Sequence, residues 1–213
     1  MPDHSSPKEL LVLQAIRLAG MADRDAILDR AFVPDEMLDD LVTQAQVAEH
    51  VEWFSFGDSS GWIITEAGAA RLAVLLRDET ADRSALAVLE ATLDAFEPLN
   101  TQFVETVSRW QLQSTSPEAT GSATADPEHI DALLTTLTSI EAGLREVLAE
   151  LISVLPRFGR YPSQFTAALD RARREGLGWV TGIGLLSCHV VWAELHQDLL
   201  SSACRNRPGD AEG

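Results

Sequence analysis

The hydrophobic period of this chain changes at residue 51, and that change constrains the fold more than any other feature. Upstream, apolar residues recur at helical spacing. Pro7 to Ala19 carries Leu10, Leu11, Leu13, Ile16 and Leu18 on one broad face, and Gly20 stops it. Ala22 to Phe32 places Ala26, Ile27, Ala31 and Phe32 inward, and Val33-Pro34 makes a turn. Asp35 to His50 aligns Leu38, Leu41, Val42 and Ala45. From Val51 to Phe56 the residues are aromatic and β-branched, as strands favour; Gly57 to Gly61 has turn composition, and Trp62-Ile63-Ile64 is a second short strand. Thr65 to Gly68 then opens a helix over Ala69 to Arg77.

Three helices, a hairpin and a following helix are the winged-helix order. The string GWIITEAGAARL resembles the wing-to-helix passage of MarR-like regulators, and LDDLVTQAQVAEHVEW resembles their recognition helix and first wing strand, over about residues 8–78. The resemblance implies a winged-helix domain over residues 1–80, with the third helix facing the major groove of DNA and the hairpin near the phosphates.

The remainder is helical. Leu86, Leu89, Leu93, Phe96, Phe103, Val107 and Trp110 form one stripe, with Pro98 expected to kink it, and Leu134, Leu137, Ile140, Leu144, Val147, Leu151 and Leu155 form another. A shorter helix is expected over Ser163 to Glu175, stopped at Gly176, and a last one over Leu185 to Cys204. Such stripes bury against one another. The fold class is therefore mainly α: a winged helix followed by an α-helical bundle over 81–205. The composition of 114–125 marks a flexible linker, and 206–213 a disordered tail.

Charge bears on the DNA question directly. The chain has a net charge of −17. Residues 1–80 hold six Lys plus Arg against fifteen Asp plus Glu, and Asp35 to His50 has no cation. Affinity for a duplex rests mostly on cations meeting phosphate. Thr43, Gln44 and Gln46 are the residues that would reach base edges, and the charge disfavours DNA without excluding it.

The C-terminal string CHVVWAELHQDLL, residues 188–200, places His189, Trp192 and His196 on one helix face and Glu194 and Asp198 on another. Two turns separate the histidines, roughly 10 Å, too far for both to hold one metal from that helix. No metal or other cofactor is expected. His189, Glu194 and His196 are the candidates for proton transfer near neutral pH. Five arginines, Arg157, Arg160, Arg171, Arg173 and Arg174, stand within 18 residues. Guanidinium forks bind carboxylates and phosphates in bidentate fashion. Either they pair with the chain's own carboxylates, or Arg157, Arg160 and Tyr161, with Trp110 and Trp192 lining the same pocket, hold a small anionic ligand. The strings LNTQFVETVSRWQLQ, LPRFGRYPSQFTAALDRAR and CHVVWAELHQDLL resemble the C-terminal helical region of actinobacterial pyruvate phosphate dikinase-like proteins, in which a winged helix also precedes that region. The resemblance implies common descent of the module and not the kinase reaction, because the nucleotide-binding and phosphohistidine domains are missing.

No apolar run approaches the ~20 residues that span a bilayer, and the start lacks the pattern of a signal peptide, so a cytoplasmic protein is expected. Cys188 and Cys204 cannot bridge along one helix and read as small apolar side chains. Beside a purely structural partner module, two readings stay open. One is a winged-helix regulatory or sensing protein whose helical domain binds a small anionic ligand or mediates homodimerisation. The other is an enzyme of bacterial secondary metabolism built on a winged-helix scaffold.

Overall fold

A computed structural model describes residues 6–114 and 127–203. Apart from Ser114, the expected linker lies outside the described residues, as do the expected tail and Cys204. The N-terminal unit runs α1 (Lys8–Ala19), α2 (Arg24–Ala31), α3 (Asp35–Val47), β1 (Val51–Phe56), β2 (Ser59–Ile64) and α4 (Glu66–Glu79). The C-terminal unit runs α5 (Arg83–Ser114), α6 (Pro127–Val154), a 3-10 turn (Pro156–Gly159), α7 (Arg160–Glu175), α8 (Gly178–Thr181) and α9 (Cys188–Ser202). The fold is mainly α with one antiparallel hairpin after the third helix.

Each unit has its own apolar core. In the first, Leu10, Leu13 and Ile16 of α1 meet Ile27, Leu38, Val51 and Leu72. In the second, Leu137, Ile140, Leu144, Leu148 and Leu151 of α6 pack with Leu89, Phe96 and Phe103 of α5 and with Phe165, Leu169, Val191 and Leu195. Each fully buried side chain of this size stabilises by roughly 1.5–3 kcal/mol.

Caps set several boundaries. Asp23 accepts from the Ala26 amide at 2.8 Å, Thr65 from Gly68 at 3.0 Å and Ser187 from Val190 at 3.3 Å, opening α2, α4 and α9. Gly20 (φ 75°) and Gly176 (φ 112°) end α1 and α7, as the sequence suggested. The hairpin turns through Gly57-Asp58 alone, with Gly57 at φ 58°. Gly68 is required for a different reason: a Cβ there would lie 1.9 Å from the His50 carbonyl oxygen, the oxygen that accepts the Thr65 amide.

Six sequence expectations need correction. Ala22 is not helical; its amide donates to the Trp62 carbonyl (2.9 Å) and its carbonyl accepts from the Trp62 amide (2.7 Å), adding a bridge to the outer side of β2. Phe32 does not face the core. It closes α2 in the left-handed region (φ 51°) and is 64% exposed. The second strand starts at Ser59 rather than Trp62, because register extends to Phe56↔Ser59. α3 stops at Val47 rather than His50, and α9 spans Cys188–Ser202 because Ser187 caps it. α7 begins at Arg160, three residues early, with Pro162 in its first turn, where a missing amide hydrogen costs nothing.

Candidate functional site

The two units meet along a buried ionic seam that holds most of the polar residues singled out in the sequence. Gln14 is the one polar side chain on the buried face of α1, and Arg30 and Glu79 stand near the ends of α2 and α4. Opposite them, the 3-10 turn and α7 present Arg157, Arg160 and Tyr161, while α9 presents Glu194, Asp198 and Ser202. Arg157 donates from Nε to Glu79 (2.9 Å), from Nη1 to both Asp198 oxygens (2.7 and 2.8 Å) and from Nη2 to Ser202 (2.7 Å). Asp198 also accepts from Gln14 Nε2 (2.8 Å) and the Tyr161 hydroxyl (2.7 Å). Glu194 accepts on Oε1 from Arg30 Nε and Nη2 (2.8 and 2.7 Å) and on Oε2 from Arg160 (3.2 Å). Arg160 in turn donates to the Tyr161 hydroxyl at 2.6 Å.

Electrostatics follows from this closure. Burial alone would lower the Arg157 pKa and raise that of Asp198. The facing charges, with the hydrogen bonds between them, outweigh burial, so Arg157 is held above the ordinary arginine value and Asp198 below the ordinary aspartate value. Burial pushes the Tyr161 phenol well up; Arg160 opposes that and Asp198 reinforces it. Tyr161 is therefore a neutral donor to a charged carboxylate.

The expected anion pocket of Arg157, Arg160, Tyr161, Trp110 and Trp192 does not form. Both arginine forks are filled by Glu79, Asp198 and Glu194, and Tyr161 is fully buried. Arg171 instead lies over the Trp179 ring at 4.4 Å, and Arg173 and Arg174 bond to Asp170. Trp192 is core: it stacks on Phe103 (4.4 Å between centroids) and Phe96 (5.0 Å), and its indole N–H donates to Asn100 at 2.9 Å. Trp110 packs at the edge of the same core.

His189, Trp192 and His196 do share a face of α9, but it is the face turned toward α5. His196 lies 5.5 Å from the Phe96 ring and 3.2 Å from Glu97, while Glu194 belongs to the opposite, seam-facing side. The proposed acid–base trio is thus divided. Only His189 and Glu194 border one common space, an open cleft of about 1240 Å³ between the units. Its walls are Arg17, Asp25, Asp29 and Arg30 from the N-terminal unit, Trp53 and Asp58 of the hairpin, and Ile183, Leu185, His189, Glu194 and Gln197 from the C-terminal unit. Both Glu194 oxygens already accept from arginine, so among the two only the exposed His189 is placed to exchange a proton with a cleft occupant. Nη1 of Arg17 is buried without a hydrogen-bond partner among the described residues. Cys188 is buried and its thiol is pushed up to about 12 by burial, which makes it unreactive near neutral pH.

Thr43, Gln44 and Gln46 are exposed on α3, with the Thr43 hydroxyl donating back to the Asp39 carbonyl at 2.7 Å. Asp35, Glu36, Asp39 and Asp40 share the exposed surface of that helix. Two cations border it: Arg24, engaged with Asp35 (3.2 Å) and Asp39 (3.7 Å), and Lys8, whose Nζ lies 3.0 Å from the Met37 sulfur. The hairpin exposes Trp53, Phe54 and Phe56 and no cation. No helix among the described residues is long and apolar enough to cross a membrane, and no group of three metal-ligating side chains occurs among them.

Seam partners were missed because they lie far apart in the chain: Glu79 is 78 residues from Arg157 and Gln14 is 184 from Asp198. One signal was available. Gln14 interrupts the apolar run LLVLQAI, and a polar residue at a buried helical position needs a partner. Comparison with known proteins gives no match: no family model, no curated protein and no solved structure matches the chain.

Proposed function

We propose that this chain is a regulatory or sensing protein of the winged-helix kind that responds to a small molecule held between its two units and does not act as a reader of duplex DNA. The observation that carries the reading is the cleft whose walls come from both units. An occupant there touches α2, the hairpin turn and α9 together, so its binding energy acts on the relative placement of the units, which is what coupling requires. The order of helices and hairpin, with Ala22 bridged to Trp62, supports the winged-helix reading. The anionic, cation-poor surface of α3 argues against phosphate contact. Since Arg157 and Arg160 are occupied, any selectivity for an anion falls to Arg17 alone, whereas Asp25, Asp29 and Asp58 favour hydrogen-bond donors on the ligand.

Thermal-shift titration of the full chain with arginine and spermidine on one side, and phosphate and citrate on the other, tests the reading. A saturable rise in Tm with a donor-bearing probe, reduced by Asp29→Asn and by His189→Ala but not by a change at Phe32, is expected. Fluorescence polarisation with a random-sequence duplex at about 50 mM salt should give no binding isotherm. Tight, salt-dependent duplex binding, or silence of the cleft to both classes of probe, overturns it.

A further inference from the structure

We infer that β1 is a self-association edge, on which a second copy of this chain adds its own β1 antiparallel to the first. The inference goes beyond the proposed function and does not rest on it.

The backbone makes the first argument. Trp62 exchanges both of its backbone hydrogen bonds with Ala22, so its N–H and C=O point away from β1. Trp53, directly opposite Trp62, is therefore the non-hydrogen-bonded partner in the hairpin, and its own N–H and C=O point outward. By the two-residue alternation of a strand, Ser55 does the same. Neither group has a backbone partner outside the hairpin among the described residues. These are donors and acceptors on an open edge, which is a template for another strand.

The side chains make the second. Trp53, Phe54 and Phe56 are 52%, 46% and 77% exposed. Val51–Phe56 carries a single charge, Glu52, and otherwise lacks the devices that blunt an edge: it has no lysine, no proline and no bulge in its register. A second copy is favoured as occupant by charge. Two chains of net charge −17 repel, and the hairpin from Val51 to Ile64 carries only Glu52 and Asp58, so it is a surface through which copies can approach. Register follows from the same consideration. Pairing Phe54 with Phe54 of the second copy sets Glu52 against Phe56, gives an aromatic cross-strand pair and matches outward-facing residues with one another. A shift that opposes Glu52 to Glu52 is disfavoured. The exposed apolar area is roughly 350 Å² per copy from side chains of about 150–250 Å² each, well below the ~800 Å² per partner of a standard interface, so the association is expected in the micromolar range or weaker.

Sedimentation velocity from about 1 to 300 µM, at 50 and 500 mM salt, tests this. A concentration-dependent dimer that strengthens as salt rises is expected, because screening removes repulsion between acidic copies. A basic partner segment on the same edge would instead weaken with salt, and a chain that is monomeric throughout overturns the proposal. Ser55→Pro removes only the outward N–H and leaves the β1–β2 ladder its bonds; it should weaken dimerisation at least tenfold while circular dichroism is unchanged. Phe54→Lys should do the same, and Ile183→Ser, at an exposed apolar site elsewhere, should not. Register is read by Phe54→Cys, whose Cα atoms across the pair would lie near 4.5 Å and close a disulfide on mild oxidation. A dimer that persists in both Ser55→Pro and Phe54→Lys refutes the edge.

Discussion

Replacing Arg157 by Met tests whether the ionic seam holds the two units together. Methionine keeps most of the stem and removes the guanidinium. Lost are the bonds to Glu79, to both oxygens of Asp198 and to Ser202, all in a site where Arg157 and Asp198 are 6% and 2% exposed. Removing one partner of a buried pair costs about 3–5 kcal/mol, because the surviving charge stays desolvated. Asp198 keeps Gln14, Tyr161 and Ser202 as donors and Glu79 keeps Ser6, which places the expectation at the lower end, about 3 kcal/mol. With an m-value of about 2–3 kcal/mol/M, the urea midpoint should fall by roughly 1–1.5 M. The units keep separate apolar cores and are then joined by the Arg30–Glu194, Gln14–Asp198 and Gln164–Asp29 bonds, so unfolding should also split, the near-ultraviolet signal of the aromatic C-terminal core separating from far-ultraviolet helicity. Adding Asp198→Asn should recover part of the loss, since the second change removes the stranded charge. A shift under about 1 kcal/mol with one coincident transition would show that apolar packing alone joins the units and would sink the reasoning.

Three further outcomes follow from the same geometry. Because the Asp198 carboxyl sits below its ordinary value when folded, its contribution is complete above about pH 4 and is lost as pH falls through the depressed folded value; urea midpoints should drop over that acidic window in the native chain and less so in Asp198→Asn. Gly68→Ala forces a methyl to 1.9 Å from the His50 oxygen and should destabilise by more than about 2 kcal/mol in denaturant melts, against about 1 kcal/mol gained when Ala replaces Gly in an unhindered helix. Trp192→Ala should cost about 3–5 kcal/mol, whereas His189→Ala, on the same helix face but exposed, should stay within about 0.5 kcal/mol; equal effects would contradict the assignment of one to the core and the other to the cleft rim.

Legibility varied with how local the cause is. The first strand is recoverable to the residue because VEWFSF carries its own propensity; in α6 apolar spacing finds Leu137, Ile140, Leu144 and Leu151, but Leu133 and Leu148 are buried where the stripe named Leu134 and Val147, which are only partly buried. Ala22 is different. Nothing near it in sequence says that its backbone bridges Trp62, forty residues on, so a helix read from composition ran through it. Phe32 failed for the opposite reason: an apolar residue one step past the end of a helix looks like part of its stripe, while the left-handed cap turns it outward. Periodicity named the face that holds Trp192, yet whether an aromatic lines a pocket or a core depends on Phe96 and Phe103 across the interface.

The arginines show most plainly why a sequence can give the right chemistry and the wrong address. Arg157 and Arg160 bind carboxylates in the forked manner their type suggests, but the carboxylates are Glu79, Asp198 and Glu194 of the same chain. The chain has 16 Lys plus Arg against 33 Asp plus Glu, a buried carboxylate needs a paired cation, and Arg30, Arg157 and Arg160 are drawn inward to supply it. The cost appears on the surface. Arg30 is taken by Glu194 and Arg71 by Glu9, so among the described residues α3 has only Arg24, paired with Asp35 and Asp39, and Lys8 beside its acidic surface, and the hairpin has no cation of its own. The same distribution that closes the seam thus leaves an anionic helix unsuited to phosphate beside a nearly uncharged aromatic strand, and it is this contrast, more than the order of elements, that directs the search for partners toward small donors in the cleft and toward a second copy at β1.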